Sequence, residues 1–286
     1  MIMGRRLGIF AGCVERLGVS LEDEFKMLKE AGFNCYDVGV FRTRDVAPAV
    51  ELGDKIGMSI ESIHAPFLTK DLYCNDVWKS GTNGDKMVKF YKESIDAAAD
   101  CKVPNVVIHF HANYDSPQIN DLGLARFDDV VEYAINKGVV IAFENLVRIG
   151  ALAYAADRYE KIPNVRFCYD FGHAHCYPGY QNAPTLDVLD IMTDRVVTTH
   201  LHDNMGYTGT KTEKPRREPD THILPFDGNC DYAKVMKKMD EYGYRGALVL
   251  ELGSGVRPEM SAEDFIHLAY ERVKRVADLS TLEFDD

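Results

Sequence analysis

The chain alternates between two kinds of segment almost from end to end, and this alternation limits its fold more than any other feature. Short apolar runs rich in Val, Ile and aromatic residues are followed by longer amphipathic runs, without a linker or low-complexity segment between them. Repeated strand–helix units of this kind build a parallel β-sheet covered by helices. The strand candidates are Leu7–Ala11, Cys35–Val40, Ser59–His64, Val106–His111, Val139–Glu144, Arg166–Asp170, Val196–His202 and Ala247–Leu252. Eight parallel strands close a barrel, so the sequence predicts an α/β fold with a single (β/α)8 TIM-barrel domain over residues 1–286.

The amphipathic runs carry recognisable helix ends. Ser20 precedes Leu-Glu-Asp as an N-cap with acids in the first turn, and Gly32 ends the same helix before the next strand. The run Asp85–Asp100 repeats apolar side chains at three- and four-residue spacings, which predicts a helix packed on the barrel. Two connections exceed the usual length of a loop between a strand and its helix: Ala65–Gly84 after strand three and Asn204–Asn229 after strand seven. Both leave the carboxyl end of a strand, the side on which barrel enzymes build their sites.

Charge and cysteine usage narrow the function classes. The 33 basic residues against 45 acidic ones give a net charge of −12, which disfavours nucleic acid and anionic membrane surfaces as partners. No apolar run approaches the ~18 residues that would span a bilayer. The seven cysteines are odd in number and lack a CxxC pair, so we expect reduced packing residues and a cytoplasmic location. The sequence does not decide the oligomeric state, and a homo-oligomer is compatible with it.

Six consecutive strands, from the third to the eighth, end in side chains of the types that bind metals. These residues are His64, His109 with His111, Glu144, Asp170 with His173, His200 with Asp203, and Glu251. A single one of them is more often a rim residue bonded to a loop. Six consecutive strand ends of this kind instead indicate a metal site. The strand ends of a closed barrel converge, and the acids would repel one another without a cation. His109 and His111 have the same strand parity, so the sequence leaves open which of them faces the site.

The residue types indicate the metal. Three carboxylates and one imidazole come from Glu144, Asp170, His200 and Glu251. This oxygen-rich set fits one divalent ion, with Mn²⁺ the best fit and Mg²⁺, Co²⁺ or Zn²⁺ also accepted. Additional metal or substrate-binding candidates are His64, His109, His173, Asp220 and His222. If these also bind metal, the nitrogen count rises and zinc is favoured.

The same residues sit in sequence motifs that carry a resemblance. The motifs are Phe143-Glu144-Asn145, Tyr169-Asp170-Phe171-Gly172-His173-Ala174, His200-Leu201-His202-Asp203, Asp220-Thr221-His222 with Gly228 following, and Leu250-Glu251. They resemble those of the xylose isomerase-like barrel superfamily, in matching order from His64 to Glu251. This superfamily contains sugar and sugar-phosphate isomerases and epimerases, and also abasic-site endonucleases of the endonuclease IV type.

The resemblance to the ketose 3-epimerases of this superfamily implies roles for these three acids and one imidazole. It implies that the positions of Glu144, Asp170, His200 and Glu251 hold one divalent ion, and that Glu144 and Glu251 also exchange the proton. A carbon beside a carbonyl becomes acidic only if the enediolate oxygen is stabilised, and a divalent ion provides that stabilisation. The resemblance therefore predicts a divalent-metal-dependent isomerase or epimerase, which moves a proton through a metal-stabilised enediolate of a small sugar or sugar phosphate.

An endonuclease IV-like zinc enzyme is the alternative. Positions that match its zinc ligands are His64, His109, Glu144, Asp170, His173, His200, Asp220, His222 and Glu251. The net charge opposes this reading, as do long loops without interleaved basic and aromatic residues. One feature favours the endonuclease: a basic run, Lys211, Lys214, Arg216 and Arg217, lies in the loop after strand seven. The same run could instead be a solvated lid balanced by nearby acids, or could hold an anionic sugar. A barrel that binds a sugar without turning it over remains a third class if the acids hold no metal.

Three residues are candidates for binding the substrate: Arg148, Arg217 and Trp78. Arg148 and Arg257 could hold an anionic group, although an arginine at such a position more often caps a loop. Trp78, the only tryptophan, lies in the first long loop with Phe67. It either packs within the lid or forms an apolar wall for the substrate.

Overall fold

The computed structural model describes residues 4–39, 46–113, 115–176, 187–206 and 220–284. Eight parallel strands in these residues form a closed barrel in chain order, with the eighth strand bonded back to the first. The strands are β1 Leu7–Ala11, β2 Cys35–Val38, β3 Ser59–His64, β4 Asn105–Ile108, β5 Val140–Glu144, β6 Val165–Asp170, β7 Val196–Leu201 and β8 Leu248–Leu250. The prediction of an α/β fold of the (β/α)8 type is confirmed.

The helices of the described residues follow the strands and cover the barrel. They are α1 Leu21–Ala31, α2 Val46–Ile56, α3 Thr82–Cys101, α4 Asp121–Lys137, α5 Ile149–Arg158, α6 Phe171–Cys176, α7 Val188–Met192, α8 Tyr232–Glu241 and α9 Ala262–Ala277. Helix α1 has the predicted ends: the Ser20 side chain accepts a hydrogen bond from Asp23 N, and Gly32 closes the helix at φ 113°. Helix α3 begins three residues before the predicted Asp85. No helix of the described residues is long and apolar enough to cross a membrane.

Several strands end earlier than the sequence predicts. β4 stops at Ile108 rather than His111, β7 at Leu201 rather than His202, and β8 at Leu250 rather than Leu252. Val40, the predicted end of β2, lies outside the described residues. Apolar content cannot show where the ladder of backbone bonds stops, because the residues that leave the ladder are as buried as those within it. Glu251 still donates its backbone N–H to Leu201 O, although it follows the last strand residue.

The two-residue period of each strand separates two buried layers. On β5, Ile141 and Phe143 belong to the main core between barrel and helices, whereas Ala142 packs inside the barrel with Val107 and Cys168. Glu144 follows Ala142 by two residues and therefore has the inward parity at the carboxyl end of the strand. The inward-facing residues of the strands therefore form the small apolar cluster inside the barrel and, at the carboxyl ends of the strands, the polar group that includes Glu144.

Both predicted long connections are present in the structure. The connection after β3 contains a short 3₁₀ helix, Cys74–Trp78. The connection after β7 is described again from Asp220, and its backbone pairs Ile223 with Asp203. The buried Asp203 carboxylate also accepts hydrogen bonds from Phe226 N (2.9 Å) and Cys230 N (3.1 Å). Asp203, which directly follows the predicted strand seven, therefore fastens the loop that carries Asp220 and His222.

Candidate functional site

The predicted metal-binding quartet meets at the carboxyl end of the barrel. The structure brings Glu144, Asp170, His200 and Glu251 together with one ligand atom of each within 4.8 Å of all the others. The first three are the last residues of β5 and β6 and the penultimate residue of β7, while Glu251 directly follows β8. Strand pairing explains the closeness, because Asp170 lies opposite His200 in the ladder of β6 and β7.

Four imidazoles surround the buried carboxylate of Glu144. Its Oε2 lies 2.9 Å from His109 Nε2 and 3.2 Å from His64 Nε2. Its Oε1 lies 3.3 Å from His200 Nδ1 and 3.2 Å from His173 Nδ1. Burial would raise the pKa of Glu144, but the facing His200 and His109 outweigh it and hold that pKa well below its ordinary value. Glu144 is therefore an anion that already sits among positive charge.

Two other acids of the quartet have buried oxygens without a partner. Asp170 Oδ1 accepts the backbone N–H of His173 at 2.6 Å, while Oδ2 has no hydrogen bond among the described residues. Glu251 Oε2 likewise has none, and lies 3.5 Å from His200 Nδ1. An unpaired buried carboxylate oxygen is costly. Oxygens of this kind, converging with a third carboxylate and an imidazole, fit a divalent cation.

A second group of potential ligands adjoins the quartet: His173, His202, Asp220 and His222. Asp220 Oδ2 lies 3.1 Å from His173 Nε2 and 3.2 Å from His222 Nε2, and the rings of His202 and His222 stack at 3.7 Å. Burial would lower the pKa of His222, but Asp220 and Glu251 outweigh it and raise that pKa to about 9. His202 was not among the candidate site residues predicted from the sequence. It lies two residues after His200, and this strand spacing predicts that both side chains face the same way.

The structure resolves the ambiguity between His109 and His111. His109 turns to Glu144, whereas His111 Nε2 contacts Pro117 O at 2.7 Å and its ring packs beside Trp78. Burial lowers the pKa of His111 to about 4, so this side chain is neutral. His109 is therefore the histidine of this pair that belongs to the site.

Asp37 on β2 is a residue that the sequence analysis missed. It is fully buried, its Oδ1 accepts the Ser62 backbone N–H at 2.8 Å, and its Oδ2 lies 3.8 Å from His200 Nε2. Burial raises the pKa of Asp37 to about 7, against the opposing effect of His200. The sequence signal that could have identified it is a single acid inside the otherwise uncharged strand β2.

The substrate-binding candidates have different positions. Trp78 is 3% exposed, donates to Phe110 O and packs on Phe127, which corresponds to the lid-packing alternative. Phe67, from the same loop, instead stacks on His109 at 4.6 Å between ring centroids.

Three arginines are the predicted candidates for binding an anionic group of the substrate. Arg148 is half-buried directly before α5, and Arg257 forms an ion pair with Asp227, which braces a loop. Arg217 and the other basic residues of its run lie outside the described residues. The positions of these arginines therefore give no support for an anionic substrate.

Comparison with known proteins gives the family. Residues 25–269 match the family described as xylose isomerase-like TIM barrel. The chain belongs to this family. The protein y4fM of Sinorhizobium fredii is 34% identical over 178 residues, which are 57% of this chain and 52% of that protein. Inosose dehydratase of Serratia proteamaculans is 27% identical over 134 residues, 44% of this chain and 45% of the enzyme. The chain thus matches about half the length of these two relatives.

Solved structures share the fold over the whole barrel. A D-tagatose 3-epimerase-like protein has a TM-score of 0.66 at 19% identity, covering 96% of this chain and 98% of that one. The IolI protein with a bound zinc atom has a TM-score of 0.71 at 15% identity, covering 97% and 100%. At these identities the likeness establishes the fold, and the family resemblance predicted from the motifs is confirmed.

Proposed function

We propose that this protein is a divalent-metal-dependent isomerase or epimerase of a small sugar or sugar phosphate, which moves a proton at a carbon beside a carbonyl. The observation that carries the proposal is the convergence of Glu144, Asp170, His200 and Glu251 within 4.8 Å, with unpaired oxygens on Asp170 and Glu251. The relatives and structural neighbours support an enzyme of this family, since they include an inosose dehydratase and a D-tagatose 3-epimerase-like protein.

The quartet would hold the ion. Its donor set of three carboxylates and one imidazole suits Mn²⁺ best, and a zinc atom is bound in the related fold of IolI. When bound, the ion would supply positive charge beside the carbonyl and hydroxyl oxygens of the substrate.

Glu251 and Glu144 would exchange the substrate's proton. The Glu251 side chain is 18% exposed, and its buried Oε2 has no hydrogen-bond partner among the described residues, so the carboxylate retains the capacity to accept a proton. Glu144 arises from β5, three strands from β8 around the barrel, and is held as an anion by its histidines. Acids from two separate strands can remove and return a proton on two faces of one carbon, which inverts or moves a stereocentre.

Two aromatic rings would position the sugar. Phe67 stacks on His109, and the edge of Phe10 meets the His200 ring at 5.1 Å. Both phenylalanines are only partly buried, so each has an apolar surface available beside the acids. Apolar ring faces suit the carbon face of a sugar, while the acids and histidines meet its hydroxyl groups.

The test is solvent exchange by the Mn²⁺-loaded protein. D-tagatose, D-fructose, their terminal phosphate esters and 2-keto-myo-inositol would be incubated in D₂O and followed by ¹H NMR. We expect deuterium at the carbon beside the carbonyl together with an isomeric sugar. Loss of water to an unsaturated ketone would instead indicate a dehydratase, which begins with the same proton removal. No exchange on any of these compounds would contradict the proposal.

An endonuclease IV-like zinc enzyme remains the second candidate. The observation that favours it is the additional ligand groups, His64 with Glu144 and His200, and the group around Asp220, which could hold further ions beside the quartet. The net charge of −12 opposes it. Cleavage of a duplex that carries one abasic site, by zinc-loaded protein, would decide in its favour.

A further inference from the structure

Two buried atoms at the site, Asp37 Oδ2 and His200 Nε2, have unused hydrogen-bonding capacity and face each other. Neither has a hydrogen-bond partner among the described residues, and they are 3.8 Å apart. Both side chains are fully buried and out of contact with bulk solvent. One is a carboxylate oxygen and the other a ring nitrogen, so the two are chemically complementary.

The orientation of the His200 ring decides which nitrogen carries a proton. Its Nδ1 faces the acids, at 3.3 Å from Glu144 Oε1 and 3.5 Å from Glu251 Oε2. A metal-binding imidazole nitrogen must offer its lone pair, so the proton of a neutral ring then resides on Nε2. Nε2–H points to the side of the ring on which Asp37 lies. A buried N–H requires an acceptor, and Asp37 Oδ2 supplies one.

We propose that Asp37 is a positioning residue of the metal site: its carboxylate accepts the Nε2–H of His200 and so fixes both the tautomer and the rotation of that ligand. This inference rests on the metal binding in the proposed function. Asp37 is suited to the role because Ser62 N already anchors its other oxygen, at 2.8 Å, on the neighbouring strand. Carboxylates that hold the outer nitrogen of a ligating histidine in this way raise the basicity of the metal-binding nitrogen.

Cys168, on β6, also interacts with this ring. Burial raises the pKa of its thiol to about 12, so it stays protonated. A thiol sulfur is a weak acceptor compared with a carboxylate oxygen. Cys168 therefore serves as the matched control: it is buried, lies beside the same imidazole, and has no part in the proposal.

The experiment measures Mn²⁺ binding to chelator-treated protein by calorimetry. Asp37→Asn retains an oxygen for Ser62 N but places an amide N–H₂ group where His200 needs an acceptor. We expect this variant to bind Mn²⁺ about 10- to 100-fold more weakly, and Cys168→Ala to remain within about threefold of the wild type. An unchanged affinity of folded Asp37→Asn would overturn the inference and leave the proposed function standing. A wild type that binds no Mn²⁺ would overturn both.

A double-mutant cycle separates positioning from a general loss of structure. His200→Asn keeps an oxygen near the place of Nδ1 but has no Nε2–H, so adding Asp37→Asn to it should cost little further affinity. Equal losses in both backgrounds would show that Asp37 does not act through His200. A further measurement needs no variant: ¹⁵N NMR of the Zn²⁺-loaded wild type should show His200 protonated at Nε2. A proton on Nδ1 would contradict the proposal.

Discussion

His222 is expected to make the metal-free protein less stable as the pH rises from 6 to 9. Its Nε2 faces Asp220 Oδ2 at 3.2 Å and its Nδ1 faces Glu251 O at 2.8 Å, so both ring nitrogens have acceptors. Only the doubly protonated ring donates to both. The geometry therefore agrees with a pKa raised to about 9, which Asp220 and Glu251 maintain against the opposing effect of burial.

The magnitude follows from the shift of this pKa. The folded protein holds a proton that the unfolded chain releases above about pH 6.5, so the stabilisation is complete below that pH and is lost as the pH approaches 9. At ~1.4 kcal/mol per unit, the shift from 6.5 to about 9 corresponds to about 3.5 kcal/mol at most. The His222 side chain is 33% exposed, so solvent screening reduces the expected loss to about 1–2 kcal/mol.

Urea unfolding of the chelator-treated protein at pH 6 and pH 9 measures this loss. His222→Asn suits the comparison because Asn tolerates the left-handed backbone of this position, φ 43°. The variant should lose about 1–2 kcal/mol less than the wild type between the two pH values. His267→Gln, on the exposed side of α9, is the matched control and should behave as the wild type. If His222→Asn shows the same pH dependence as the wild type, His222 is not protonated in the fold and the reasoning is refuted.

Three further predictions concern the proposed reaction. Glu144→Gln and Glu251→Gln should each slow exchange of the carbon-bound proton about 10²- to 10⁴-fold in D₂O, because an amide cannot accept that proton; near wild-type exchange would remove the residue from this role. Turnover of a small sugar should change little between about 50 and 200 mM salt, whereas abasic-duplex cleavage that falls by orders of magnitude would favour the endonuclease. Asp220→Ala and His222→Ala should retain about one ion per chain by elemental analysis while turnover falls, and loss of the ion from His222→Ala would count against a single-metal site.

The quartet could be predicted from the sequence because each of its residues is marked by its immediate neighbours in the chain. Each of Glu144, Asp170, His200 and Glu251 ends an apolar run, and the closure of eight strands brings such ends together whatever the details of packing. Exact strand ends were less predictable. His109 lies just beyond β4, where burial continues although the strand has ended, and Glu251 follows β8 while its backbone N–H still bonds to Leu201 O.

The residues that the sequence did not reveal depend on distances across the barrel. Asp37 lies within β2, and its relation to His200 on β7 follows from the tilt and register of the closed sheet. The choice between Trp78 and Phe67 likewise depends on how the loop after β3 folds, since both are aromatic residues of the same segment. Patterns along the chain reveal neither the distance between Asp37 and His200 nor the fold of the loop after β3.

The charges at the barrel mouth link protonation to metal binding. Glu144, Asp170 and Asp220 keep lowered pKa values only because histidines such as His173 and His200, whose own pKa values are raised, offset the burial of these acids. A divalent ion held by the quartet would take over part of that neutralisation, and a ligating imidazole must give up its proton. The pH-dependent stability expected of the metal-free protein and the affinity for the ion therefore have one electrostatic origin: protonated histidines and the metal both neutralise the same group of buried acids.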